Sequence, residues 1–127
     1  MPTILVAEDE RDIRELIAFS LRYGGFKVEE AANGTEAVEK ARKLRPDLII
    51  LDVRMPRKTG YEVCQELKEA DETRDIPIVF LSAKGQVSEI QQGMELGAVD
   101  YIIKPFEAEQ LPKRIAEILR ETTKHKE

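Results

Sequence analysis

Four short apolar runs, residues 4–7, 48–51, 78–81 and 101–103, contain no polar alternation, and segments of helical period separate them. That alternation restricts the fold more than any other feature. An unbroken run of Ile, Val, Leu and aromatic residues suits a strand covered on both faces, as happens where helices flank a parallel sheet. A fifth run, residues 26–31, differs: Phe26, Val28 and Ala31 are interspersed with Lys27, Glu29 and Glu30, the pattern of a sheet edge with one wet face. Between the runs, apolar stripes recur at helical spacing. They are Ile13, Leu16, Ile17 and Leu21; Ala37, Val38, Ala41 and Leu44; Val63, Cys64 and Leu67; Val87, Ile90 and Met94; and Leu111, Ile115, Ile118 and Leu119. Gly24, Gly25 and Gly97 fall where helices should stop, and Asn33 where the second should be capped. Five strands alternating with five helices predict a doubly wound α/β sandwich with right-handed crossovers.

With 127 residues, 42% of them hydrophobic, the chain has the size and apolar content of one folded domain and not of a disordered segment. Residues 1–122 are expected to form that domain and residues 123–127 a polar tail. The longest uncharged stretch, residues 76–83, is eight residues against the roughly twenty a spanning helix needs, so no membrane contact is expected. The N-terminus shows no basic leader, which predicts a cytoplasmic location. A single cysteine, Cys64, fits a reducing compartment. A net charge of -5 argues against nucleic-acid binding, whose energy comes from a basic face.

In an open parallel sheet, ligands bind beyond the carboxyl ends of the strands. Glu8-Asp9-Glu10 follows the first run, Asp52 the third, Ser82 the fourth and Lys104-Pro105 the fifth, while the second ends in Ala31-Ala32 and offers nothing reactive. Each has an ordinary explanation alone. Asp9 could cap a helix, Asp52 could serve a turn, Ser82 could bond a strand end, and Lys104 could be a solvated loop residue. Converging on one crevice, they predict more. Three close carboxylates push one another toward protonation unless a cation joins them. Mg²⁺ matches oxygen ligands of this kind, and a lysine with a hydroxyl suits phosphoryl oxygens. A carboxylate nucleophile in such company predicts phosphoryl transfer through an aspartyl phosphate.

The stretches Ile-Leu-Val-Ala-Glu-Asp-Glu at 4–10, Asp-Val-Arg-Met-Pro-Arg-Lys-Thr-Gly at 52–60, Phe-Leu-Ser-Ala at 80–83 and Gly-Ala-Val-Asp-Tyr-Ile-Ile-Lys-Pro-Phe at 97–106 occur in this order. Together they resemble the receiver domains of two-component response regulators, of the chemotaxis-regulator kind. The resemblance implies a flavodoxin-like sheet of strand order 2-1-3-4-5 and a receiver over residues 1–122. It implies a signalling role in place of an enzymatic one. A phosphohistidine on a histidine kinase or histidine phosphotransfer protein would dock near the first helix and pass its phosphoryl group to Asp52, and the partner-binding surface would then switch. Asp52 becomes the phosphoacceptor. Asp9 becomes a direct Mg²⁺ ligand, Glu8 a ligand directly or through water, and the backbone carbonyl of Arg54 the third protein ligand. Ser82 and Lys104 would hold the phosphoryl group, with the Lys104–Pro105 bond cis, and Tyr101 would be the switch aromatic, its alternative being an edge-strand ring packed on a helix.

The same resemblance makes Gly60 and Pro56 shape the loop after Asp52, and it puts Arg54 and Lys84 along the path of an attacking water, where they tune the phosphoryl lifetime. Glu8 departs from the family pattern, in which aspartate is common. The output face is expected at helix four, strand five and helix five, read by an unidentified protein. Ile90 and Val99 stand where winged-helix transcription regulators carry the arginine and aspartate of a dimer face, so that dimer is not implied. Two other readings fit part of the pattern. One is a receiver-like interaction module independent of phosphorylation. The other is a small phosphatase of the haloacid-dehalogenase kind, whose nucleophile would follow the first strand. Flavin binding fits poorly, because Glu8-Asp9-Glu10 would repel a phosphate there. Cys64 on an apolar stripe and His125 in the tail suggest no site.

Overall fold

The computed structural model describes residues 1–83 and 86–126, with side chains up to residue 123. Its elements are β1 (Thr3–Ala7), α1 (Arg11–Tyr23), β2 (Lys27–Ala31), α2 (Gly34–Leu44), β3 (Leu48–Asp52), α3 (Gly60–Glu69), β4 (Ile78–Ala83), α4 (Val87–Glu95), β5 (Asp100–Lys104), a 3-10 turn (Ala108–Gln110) and α5 (Leu111–Lys126). All strand pairs are parallel, and the order is β2-β1-β3-β4-β5. The uniform apolar run of β3 is buried throughout, as a central strand requires. The run at 26–31 lies at an edge as β2, its Val28 and Ala31 buried and its Lys27 exposed.

Two cores follow from covering both faces. On one, Ile17, Ala18 and Leu21 of α1 and Leu111, Ile115 and Ile118 of α5 pack on Ile4, Val6, Ile50 and Leu81. On the other, Ala37, Val38 and Ala41 of α2 and Val63, Cys64 and Leu67 of α3 pack on Leu5, Ile49, Leu51 and Phe80. Helix ends obey the punctuation. Asn33 accepts a hydrogen bond from the Glu36 amide at 2.8 Å, and Gly25 and Gly97 adopt φ of +96° and +105°. Both sheet edges have carbonyls occupied by cations: Arg22 donates to Val28 O, Lys40 to Glu30 O, and Arg114 to Tyr101 O.

Three expectations need correction. The strands β3, β4 and β5 run past their apolar runs to include Asp52, Ser82 and Lys104, because the ladder is held by backbone groups whatever the side chain. Helix α5 continues to Lys126, so residues 123–126, expected within a polar tail, extend its helical backbone. The Val87, Ile90 and Met94 stripe of α4 does not face the core. Val87 is 68% and Met94 42% exposed, and the helix instead buries Glu89 and Gly93. That is a rotation of about one residue, or ~100°, from the expected face. Gly93 is the cause on one side, since a Cβ there would stand 2.6 Å from the Phe80 ring; only glycine lets α4 approach β4 on this face.

Candidate functional site

Parallel register brings the chemistry to one rim. Ala7 lies opposite Leu51, Asp52 opposite Leu81, and Ala83 opposite Lys104, so the ends of β1, β3, β4 and β5 open on the same crevice. The Glu8 amide donates to Ala31 O at 3.1 Å, which carries the chain one residue past β1 before it turns into α1. Asp9 is not the cap of that helix. The N-cap is Glu10, with no side-chain cap bond, and its amide donates to Glu8 Oε2 at 3.0 Å. The ordinary explanation of Asp9 therefore fails, and its exposed carboxylate faces the crevice beside Glu8 and Asp52. Carboxylate oxygens of Glu8, Asp9 and Asp52 lie within 4.8 Å of one another.

Among the described residues, Lys104 reaches into this cluster. Lys104 Nζ donates to Glu8 Oε1 at 2.9 Å and to Asp52 Oδ2 at 3.2 Å, and the Lys104–Pro105 bond is cis as the resemblance implied. The other Asp52 oxygen, Oδ1, accepts from the Arg54 amide at 3.4 Å. Glu8 is fully buried. Burial pushes its carboxyl above the usual range, a hydrogen bond shared with Asp52 adds to the rise, and Lys104 opposes it. Asp9 is pushed up as well, by partial burial and then by Glu8. For Lys104, burial acts downward, but the bond to Glu8 and the Asp52 charge outweigh it and the pKa rises.

The two raised acids predict a pH dependence. A carboxyl with a raised folded-state pKa binds protons more tightly when folded, so the metal-free fold loses stability as pH climbs from the ordinary carboxyl range through the raised values. Asp9→Asn removes one repelling charge. Its melting temperature in EDTA should exceed the wild type's by a few degrees at about pH 8, with a smaller gain near pH 5, where the acids are closer to protonated. Thermal melts across that range check the sign.

The loop after Asp52 is fixed by backbone closure. The Gly60 amide donates to Val53 O at 2.8 Å, and Thr59 and Glu62 form a reciprocal capping box that starts α3. A Cβ on Gly60 would stand 2.2 Å from the Asp52 carbonyl oxygen, so residue 60 must be glycine for β3 and α3 to meet. Gly60→Ala should cost about 2–3 kcal/mol in urea unfolding, because backbone and not a flexible side chain has to move. The Pro56 carbonyl accepts from Gly34 and Lys58, consistent with a loop-shaping role.

Ser82 reaches the same rim but is otherwise engaged: buried, it donates its hydroxyl proton to Glu89 Oε1 at 2.9 Å. Glu89 Oε2 accepts from Arg54 Nε and Nη2, each at 2.9 Å. Sequence reasoning missed Glu89, because a glutamate on a helix reads as solvated. The available signal was Gly93, four residues on: a helix face with a glycine there can lie close to the sheet. Tyr101 is half-buried on the α2–α3 side core, next to Phe80 in register, and its carbonyl takes Arg114. Lys84 lies outside the described residues. Cys64 is buried in the core, as its stripe foretold, and burial pushes its thiol pKa up.

A cavity of about 330 Å³ joins Asp9, Glu10, Asp52, Arg54, Ala83, Glu89 and Lys104. A larger groove of about 890 Å³ runs between β5 and α5, but it holds neither Asp52 nor its acidic neighbours. The smaller cavity is therefore the one that joins Asp52 to Asp9 and Lys104.

Known proteins place this arrangement. The family model described as the response regulator receiver domain matches residues 4–116. The chain is 39% identical over 122 residues to the DNA-binding dual master transcriptional regulator RpaA of Synechocystis, covering 96% of this chain and 51% of that protein. It is 44% identical over 119 residues to the response regulator MprA of Mycobacterium leprae, covering 94% and 51%. The chain thus spans about half the length of these curated relatives. Among solved structures it resembles the chemotaxis response regulator CheY4 of Vibrio cholerae, with a TM-score of 0.87, 35% identity, and coverage of 93% of this chain and 98% of that one. Fold, motif order and sequence agree, and this chain belongs to the response regulator receiver family.

Proposed function

We propose that Asp52 takes a phosphoryl group from a phosphohistidine of a histidine kinase or histidine phosphotransfer protein, within the signalling role of its family. The single observation behind this reading is the Asp52 carboxylate at the end of a central strand, bridged through Lys104 to a buried glutamate and flanked by Asp9. A carboxylate oxygen attacks phosphorus in line. The phosphorus–nitrogen bond breaks, and the imidazole keeps the electron pair. Lys104 Nζ, already shared between Asp52 and Glu8, is positioned to take a phosphoryl oxygen. Ser82 supplies a further donor once its hydroxyl turns from Glu89.

The donor set fits Mg²⁺: Glu8, Asp9 and Asp52 offer hard oxygens within one ion's reach, and the backbone carbonyl of Arg54 would complete the protein ligands. When bound, the ion supplies positive charge to the acids and to phosphoryl oxygens. Tyr101, opposite Phe80 in register, is the proposed aromatic switch, and Arg54 a residue that sets phosphoryl lifetime. Phosphorylation places a group of about -1.5 to -2 charge where a carboxylate stood, and the donors that follow it bias the rim of β4 and β5.

Two surfaces suit the proposed partners. Leu16, Phe19 and Tyr23 form an exposed apolar line along α1, with exposures of 47%, 70% and 88%, which supports docking of the phosphohistidine donor there. Phe19→Asp should slow transfer from the cognate kinase by at least about tenfold while leaving the reaction with acetyl phosphate unchanged, because only the first needs a protein interface. Val87 and Met94 on α4, Val99 just before β5 and Ile103 on β5 are exposed, supporting that face as the output surface for a protein partner. No described helix is long and apolar enough to cross a membrane. A cytoplasmic location and the absence of nucleic-acid contacts by these residues remain part of the proposal; the net charge of -5 supports the second.

Intact mass after incubation with Mg²⁺ and acetyl phosphate tests the reading. It expects one acid-stable, base-labile phosphoryl adduct. Multiple turnover of a simple phosphate ester would point to a phosphatase instead, and no adduct under any condition to an inert interaction module.

A further inference from the structure

Helix α4 is held to the sheet in an unusual way for a chain rich in aliphatic stripes. It turns Val87 and Met94 outward and buries Glu89 and Gly93. Its attachment near the site is therefore polar. Tyr61 donates its hydroxyl to the Glu89 carbonyl at 3.0 Å, and the Tyr61 ring meets Phe80 edge-on at 5.6 Å between centroids. The Glu89 side chain, 10% exposed, then reaches to β4 and to the loop after β3. It accepts from Ser82 on one oxygen and from Arg54 on the other.

A serine hydroxyl has one proton to give. Here it is spent on a carboxylate of α4, a stronger acceptor than a neutral group, and so is not given to Asp52. Arg54 balances the glutamate charge and makes the buried acceptor tolerable. We propose that Glu89 is a positioning residue that holds the Ser82 hydroxyl off the acceptor site in the resting receiver. Phosphoryl binding must draw the hydroxyl from Glu89, and the same event removes one of the polar ties of α4. The proposal rests on Asp52 as acceptor and adds a residue that sets how readily the resting state gives way. A helix with little apolar burial is the element that can respond at low cost.

The test uses beryllofluoride, a tetrahedral phosphoryl mimic, titrated into the full chain with Mg²⁺ and followed by amide NMR. An apparent affinity scales with the fraction of protein in the competent arrangement. Glu89→Ala should bind the mimic about 10-fold more tightly than wild type, and Glu89→Gln, which keeps an acceptor oxygen without the charge, about 3-fold more tightly. In a Ser82→Ala background both gains should shrink below about 2-fold, because Glu89 acts through that hydroxyl. A purely structural role would not produce this dependence on Ser82. If Glu89→Ala folds poorly, the Glu89→Gln gain and its loss in Ser82→Ala carry the test. Unchanged or weaker binding by the Glu89 variants, or gains that persist without Ser82, would overturn the clamp while leaving Asp52 as acceptor. Failure of the wild type to bind the mimic would overturn both.

Discussion

Asp52→Asn protein, incubated with Mg²⁺ and acetyl phosphate, should form no phosphoryl adduct at all. The amide matches the carboxylate in shape, and Lys104 keeps its bond to Glu8, so the fold survives. What disappears is the nucleophile: an amide oxygen carries no charge to attack phosphorus. One of three mutually repelling acids is also gone, so the metal-free variant should melt no lower than wild type. Loss of the adduct together with loss of the fold would not match this account; loss of the adduct alone does.

The second large effect concerns Lys104. Lys104→Ala should slow phosphorylation by about 10²–10³-fold, the usual consequence of removing one preorganised group that faces developing charge. It should also destabilise the metal-free protein by about 2–3 kcal/mol, because fully buried Glu8 loses its cation. The two consequences separate in a double variant. Adding Glu8→Gln removes the orphaned charge, so Lys104→Ala with Glu8→Gln should regain most of the lost stability yet stay slow to phosphorylate. Urea unfolding and adduct formation by mass read these two quantities independently.

The sheet was legible in the sequence because its determinants are local and one-dimensional. An uninterrupted run such as residues 48–51 has few alternatives to a central strand, and the mixed run at 26–31 announced its own edge position. The rim of the site was legible for a related reason: parallel strands place their carboxyl ends together, so Asp9, Asp52, Ser82 and Lys104 had to meet once the order of elements was known. Helix α4 was not legible. Periodicity marked Val87, Ile90 and Met94 as the buried face, but periodicity registers apolar residues only, and this helix is seated by a glycine against Phe80 and by a charged residue whose partners come from two other elements. Glu89 has no partner within its own helix that a spacing rule could find. Leu16 was misjudged in a milder way, since a stripe wider than the contact leaves its margin in solvent, 47% exposed.

Gly60 and Gly93 illustrate the same division. Each is needed because another element passes within van der Waals reach of its missing side chain, Asp52 backbone in one case and the Phe80 ring in the other. Gly60 falls inside a motif whose resemblance named it as a loop-shaping residue. Gly93 carries no such mark, and only the packing of α4 on β4 gives it meaning.

The central claim is that phosphoryl transfer ends on one carboxylate, in a pocket whose acids a divalent cation reconciles. Borohydride reduction of the acetyl phosphate-treated protein, followed by peptide mass mapping, reads the acceptor directly because an aspartyl phosphate is reduced at its own carbon. The account predicts a single reduced residue, Asp52, formed with Mg²⁺ and lost in EDTA. A label on Glu8, Asp9 or Ser82, or labelling of Asp52 that is indifferent to EDTA, would contradict it.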